Sequence, residues 1–220
     1  MTLPKAEVVN GLAAEMQRFH DLIIDLTDDA WGQPTRCEAW SVGQLAAHVT
    51  GVTADLNAGR VDGLGTQAWY DRQVEERDGQ PPTVVAAELA GLIEPTRDQM
   101  MAFPQEAWDG PAPPGVPGTL GGAVQSLWCG TYIHGEDILA ALGKPPLRGA
   151  GLRAAVWQIV DTWQANSWGP TTLDLDGIEE IVIDGGGKRI SGDPLPFVLA
   201  ATGRGDPAAL GLDPKVNIYA

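Results

Sequence analysis

The chain holds 220 residues, enough for one compact domain with a smaller appendage. Its 44% hydrophobic and 20% charged content fits a soluble globular protein, and no apolar run approaches the ~20 residues of a membrane span. With 29 acidic against 14 basic residues the formal charge is −15, which repels phosphate backbones and leaves no basic stripe, so nucleic acid is a poor partner.

The opening stretch MTLPKAEVVNGLAAEM lacks the basic start and apolar block of a signal peptide, so a cytoplasmic protein is expected. In that compartment Cys37 and Cys129, far apart and in no CxxC motif, are expected as thiols. A first helix is predicted from Pro4 to Leu26, because Leu12, Met16, Phe19, Ile23 and Leu26 recur at steps of three and four. The Pro-, Gly- and Asp-rich segment TDDAWGQPTRCEAW breaks it, with Trp31 and Trp40 expected to clamp the loop. Ser41 and Gln44 form a capping box that opens a second helix running to about Asn57. After the break AGRVDGLG come two amphipathic stretches, TQAWYDRQVEER and TVVAAELAGLIEPTRDQMMAF. Pro95 is expected to kink or divide the second. From Pro104 to Gly122 the run PAPPGVPG predicts loop.

A last bundle helix should span about Gly122 to Leu142 and stop at Gly143. Its spacing places Leu127, Thr131, His134, Ile138 and Ala141 on the buried face. Beyond Leu147 the pattern changes to one helix over 150–168, a short helix in PLPFVLAATGRG, and short strands in TTLDLDG, EEIVIDGGG and KVNIYA. The GGG at 185–187 reads as a hairpin turn. These elements predict a mainly α chain: a helical bundle over 1–148, then a small α+β domain over 149–220.

His48 and His134 are the residues that pose a question, since each interrupts an apolar helix face. Imidazoles projecting into a bundle core from two helices suit a divalent metal. They equally suit buried rings satisfied by hydrogen bonds. Third donors are scarce: His20 lies beside the first helix's stripe, at its solvent edge by spacing, and Asp137 follows His134 by three residues. Glu136 should point away from His134, and Cys129 is off its face. The sequence shows no GxSxG, P-loop, GxGxxG or HExxH.

Read together, LTDDAWGQPTRCEAWSVGQLAAHVTG resembles the start of the mycothiol-dependent maleylpyruvate isomerase family, within the DinB-like helical bundles. The matching residues are Leu26, Thr27, Trp31, Pro34, Thr35, Cys37, Trp40, Ala47 and His48. YIHGEDILAALG is similar to the family's second metal segment, and GDPLPFVLAATGRGDPAALGLD to its C-terminal domain. The resemblance implies a DinB-like four-helix bundle holding a divalent metal, usually zinc, with a small C-terminal domain covering the pocket. It implies mycothiol as thiol cofactor and isomerisation or transfer as the activity. By position it makes His48 and His134 metal ligands, and Arg204 the holder of a substrate carboxylate, since a guanidinium binds both oxygens at once. An ion pair of Arg204 with Asp206 is the alternative.

One departure matters. The family's isomerases carry a Glu four residues before the second His, whereas this chain has Gly130 there. Asp137 or His20 would then have to complete the metal site. Two functions stand: a metal- and thiol-dependent isomerase or S-transferase acting on a small electrophile, or a non-enzymatic small-molecule-binding relative with a degraded metal site. The expected partners are a small thiol and its substrate, with neither nucleic acid nor membrane, in a monomer or homodimer.

Overall fold

The fold comes from a computed structural model, which describes residues 3–37 and 40–219. The described residues divide into two compact units, 4–147 and 148–219, the latter joined by Leu3. Among the described residues no helix is long and apolar enough to cross a membrane.

The first unit is a four-helix bundle of α1 (Lys5–Ile23), α3 (Val42–Asn57), α5 (Pro82–Ala102) and α7 (Leu120–Ala141), with α1 and α3 each packed against both α5 and α7. Leu12, Met16, Phe19 and Ile23 of α1 are buried, as the spacing predicts, and Val8 joins them, while Leu26 is half-buried. The helix stops at Ile23 rather than Leu26, because Thr27 accepts from Ala30 N–H and starts a separate short turn, α2 (Asp28–Trp31). At the start of α3 the Ser41–Gln44 capping box is present in both directions. Pro95 lies inside α5 without dividing it; both Pro95 and Gly91, whose carbonyl loses its partner, are on the solvent side. The segment after Pro104 is not all loop: Gln105–Asp109 forms α6, whose Trp108 is buried against Gly121.

The end of α7 is fixed by Gly143 at φ 62°, with Lys144 N–H bonded to Leu139 O (2.9 Å) and Gly143 N–H to Ala140 O (3.1 Å), a Schellman motif. A further helix, α4 (Gln67–Glu75), lies against α3. Gly51 permits that approach, since a Cβ there would come within 2.5 Å of the Gln73 Cβ. On the far side of the bundle Trp128 of α7 lies over Gly11 and donates to the buried Glu15 at 3.3 Å.

The second unit contains α8 (Ala150–Ala165), α9 (Pro194–Ala201) and a three-stranded sheet. In it β1 (Thr171–Leu175) is central, antiparallel to β2 (Ile181–Ile183) and parallel to β3 (Lys188–Gly192). Two expectations fail here. The glycines at 185–187 do not close a hairpin, because β2 and β3 lie on opposite edges of β1 and the turn carries the chain past it. KVNIYA is not a strand: Asp213 caps a 3-10 turn over Pro214–Val216, and Val216 buries itself while its carbonyl accepts from Trp163 Nε1 at 2.9 Å.

Candidate metal and thiol site

The candidate site assembles in the first unit from α3, α4, α7 and the loop ahead of α3. His48 sits two turns into α3 and is 8% exposed. Trp40 stacks on its ring at 4.6 Å between centroids, so this tryptophan serves the histidine, while Trp31 packs on Gly43 and donates to Gln80 O. Tyr70 of α4 meets the ring edge-on at 5.0 Å, and His134 of α7 does so at 5.3 Å. Two imidazoles on one tetrahedral ion, each with a metal–nitrogen bond of ~2.1 Å, have ring centres roughly 5 Å apart. The pair of histidines found by spacing is therefore a pair in space.

Burial, and then the neighbouring His134, push the His48 pKa down from 6.5 to about 3 against a smaller upward pull from the Gln73 side chain. His48 is thus neutral at pH 7. Its Nδ1 is buried with no hydrogen-bond partner among the described residues, and the nearby Gln73 Oε1 is in the same state. Burial also raises the Tyr70 pKa, which keeps the phenol protonated.

His134 does not lie on the closed face that spacing gives it. Its side chain is 17% exposed, and Leu127 and Ala141 of the same stripe are half-buried, while Thr131 and Ile138 are buried as expected. The closed faces also carry Val124, Trp128, Tyr132 and Ile133, which lie outside that stripe. α7 is apolar around most of its circumference, so periodicity alone does not single out its open side.

Around His134 three donor atoms converge. Asp137, with no side-chain exposure, places Oδ2 at 3.4 Å from His134 Nδ1. The Cys37 thiol donates to the same Oδ2 at 3.3 Å, with Sγ 4.0 Å from His134 Nδ1. Cys37, His134 and Asp137 form the one such group of potential metal donors among the described residues. Arg36 faces the other oxygen, Nε to Asp137 Oδ1 at 3.2 Å, and donates from Nη2 to Glu136 O at 2.8 Å.

Cys37 is the residue sequence spacing misses, because a loop delivers it. Pro34 bridges to Ser41, Cys37 N–H donates to Thr35 Oγ1 (3.2 Å), and Thr35 Oγ1 donates to Trp40 O (2.8 Å). The two ends of the Pro-Thr-x-Cys-x-x-Trp pattern are thus tied together, and Cys37 brings its sulfur to Asp137 of α7. Cys129 is fully buried in the core.

His20 stands apart from this group: half-buried on α1, its Nδ1 lies 2.8 Å from Asp21 Oδ1. Glu136 is buried and accepts from Leu147 N–H at 2.7 Å. Arg204 belongs to the second unit, where Nη1 donates to Thr202 O at 2.9 Å. The bundle's donor set of sulfur, nitrogen and oxygen fits a zinc-like ion.

Residues 12–139 match the family model described as the mycothiol maleylpyruvate isomerase N-terminal domain. Among solved structures, the fold resembles a crystal structure of the mycothiol-dependent maleylpyruvate isomerase, with a TM-score of 0.65 at 15% identity over 92% of this chain and 90% of that one. A histidine-to-alanine variant of that isomerase gives a TM-score of 0.62 at 14% identity, with the same coverage. No curated protein matches the sequence.

Proposed function

Because this chain belongs to the mycothiol maleylpyruvate isomerase family, we propose that it is a metal- and thiol-dependent enzyme that isomerises, or transfers sulfur onto, a small electrophilic substrate bearing a carboxylate. The observation that carries this reading is the convergence of donors on His134, with the His48 ring beside it.

His134 and Asp137 would hold a divalent metal, zinc by the chemistry of the donors, next to His48. When bound, such an ion supplies the Lewis acidity that keeps a coordinated thiol, mycothiol in this reading, as its anion near neutral pH. The protein's own groups do the rest. Arg36 fixes Asp137 through Oδ1 and leaves Oδ2 toward the site. Trp40 and Tyr70 hold the His48 ring on two sides, and burial keeps that ring neutral so that a nitrogen lone pair stays available. Tyr70, still protonated, is a hydrogen-bond donor at the same wall. The thiolate sulfur would add to the electrophilic carbon as its C=C π bond opens onto the conjugated carbonyl to give an enolate. In isomerisation the new single bond rotates and the enolate expels the thiolate, restoring the double bond; in transfer a proton quenches the enolate and the C–S bond persists. Arg204 is assigned to the substrate carboxylate on the family resemblance.

The test is metal analysis and turnover together. Purified protein should carry close to one equivalent of zinc, lost in His134→Ala. With mycothiol and maleylpyruvate present it should form the isomer, and omitting the thiol should abolish that. A protein that takes up no transition metal at all would sink the reading.

A second reading is favoured by Gly130, around whose missing Cβ nothing lies within 4 Å. There the site has lost its metal and serves only to bind a small molecule. Gly130→Glu separates the two: a native protein without metal that gains tight zinc binding on this substitution supports the second.

A further inference from the structure

We propose that Cys37 supplies the third donor of the metal centre, in place of the carboxylate that the family carries four residues before His134. This rests on the metal-dependent reading above and changes who holds the ion.

One turn before His134, α7 carries no side chain that could hold an ion. Gly130 brings no donor, and its flank is open. The nearest replacement comes from across the site rather than from the same helix. Cys37 Sγ, His134 Nδ1 and Asp137 Oδ2 form a triangle with sides of 3.3, 3.4 and 4.0 Å. A triangle of those sides has a point about 2.1 Å from all three corners, and a small displacement out of its plane gives the bond lengths zinc makes to nitrogen, oxygen and sulfur. The three atoms already lie at the separations of ligands on one ion, and three protein donors leave the fourth position of a tetrahedron to a ligand from outside the chain.

Sulfur also changes the chemistry. Binding replaces the S–H bond by an S–metal bond and releases one proton to solvent for each ion bound. Cys37 and Asp137 then bring two negative charges against the ion's two positive ones, where a set of two histidines and one glutamate brings a single charge. The thiolate also selects soft ions, zinc or cobalt, against magnesium and manganese. Arg36, ion-paired with Asp137 Oδ1 at 3.2 Å, leaves Oδ2 for the ion. The loop that carries the sulfur is tied at both ends, by the Pro34–Ser41 bridge and by Val42 N–H to Gln33 O at 2.9 Å.

Cobalt(II) makes the sulfur visible. Titrating the metal-free protein with cobalt should produce a sulfur-to-cobalt charge-transfer band in the near ultraviolet, and binding should release a proton. Cys37→Ser should lose the band and weaken zinc binding by tenfold or more, with an unchanged circular dichroism spectrum. In that background, Gly130→Glu should restore zinc affinity without restoring the band. If cobalt binds the native protein without the band, and Cys37→Ser keeps its affinity while His48→Ala and His134→Ala lose theirs, Cys37 is not a ligand and the metal-dependent reading survives. If the native protein binds neither cobalt nor zinc, both fall.

Discussion

Asp55 on α3 and Asp137 on α7 are both buried to zero side-chain exposure, yet they sit among different neighbours. Around Asp55 stand N–H donors: Arg60 at 2.6 Å, Arg72 at 2.6 Å and Gln73 at 3.0 Å. Burial alone would raise its pKa, but the bonds from Arg72, Gln73 and Arg60 outweigh it and hold the carboxyl below the usual range. Such a carboxylate is a clamp, tying α3 to α4 and the loop between them. Asp137 instead faces one guanidinium, a thiol and an imidazole, two of which can give up a proton or a lone pair to an ion. Depth is the same in both cases; in the reading proposed above, the partners decide whether a buried charge braces the fold or holds an ion.

Substitutions should pull the two apart. Asp137→Asn is expected to lower zinc affinity on the order of 100-fold by isothermal titration while leaving the unfolding free energy of the metal-free protein within about 1 kcal/mol of native. Asp55→Ala should do the reverse, costing about 3 kcal/mol in a urea melt. That is the low end for a broken buried pair, because Arg60 and Arg72 are 49% and 37% exposed and can turn to water. Comparable losses of metal affinity in both variants would erase the distinction.

The pH response sharpens it further. His48 has its folded pKa below its unfolded one, so the unfolded chain takes up the proton first and stability falls as pH drops from about 6.5 toward about 3. Between pH 7 and pH 4.5, in chelator, native protein should lose about 2 kcal/mol more than His48→Leu does; equal slopes would show the ring to be solvated. The smallest effect belongs to the cap of the helix that carries His48. Ser41→Ala should cost about 1 kcal/mol by thermal melt, with zinc affinity nearly unchanged.

Much of this molecule is legible before its structure. The α1 stripe, the Ser41–Gln44 box and the Gly143 stop each follow from local rules, and local rules set where helices begin, end and face. The α7 face is only partly legible, with Thr131 and Ile138 buried but His134 on the open side, because a helix apolar around most of its circumference has no polar side to mark its orientation. β3 escapes for a related reason: in KRISG only Ile190 is buried, and the strand exists because β1 offers it an edge, with Arg189 reaching Asp174 and Glu180. In the site, His48, His134 and Asp137 carry helical spacing, but Cys37 arrives through a loop whose geometry depends on hydrogen bonds between Thr35 and Trp40. No period in the sequence encodes that meeting.

Gly130 has one more consequence. A glycine in the middle of a helix costs about 1 kcal/mol relative to alanine, so nearly any replacement there should firm up α7 rather than loosen it. Since nothing crowds the position, a saturation library at this single codon would sample new chemistry one helical turn from His134, with foldability improving as diversity is added. Protein engineers usually trade one against the other.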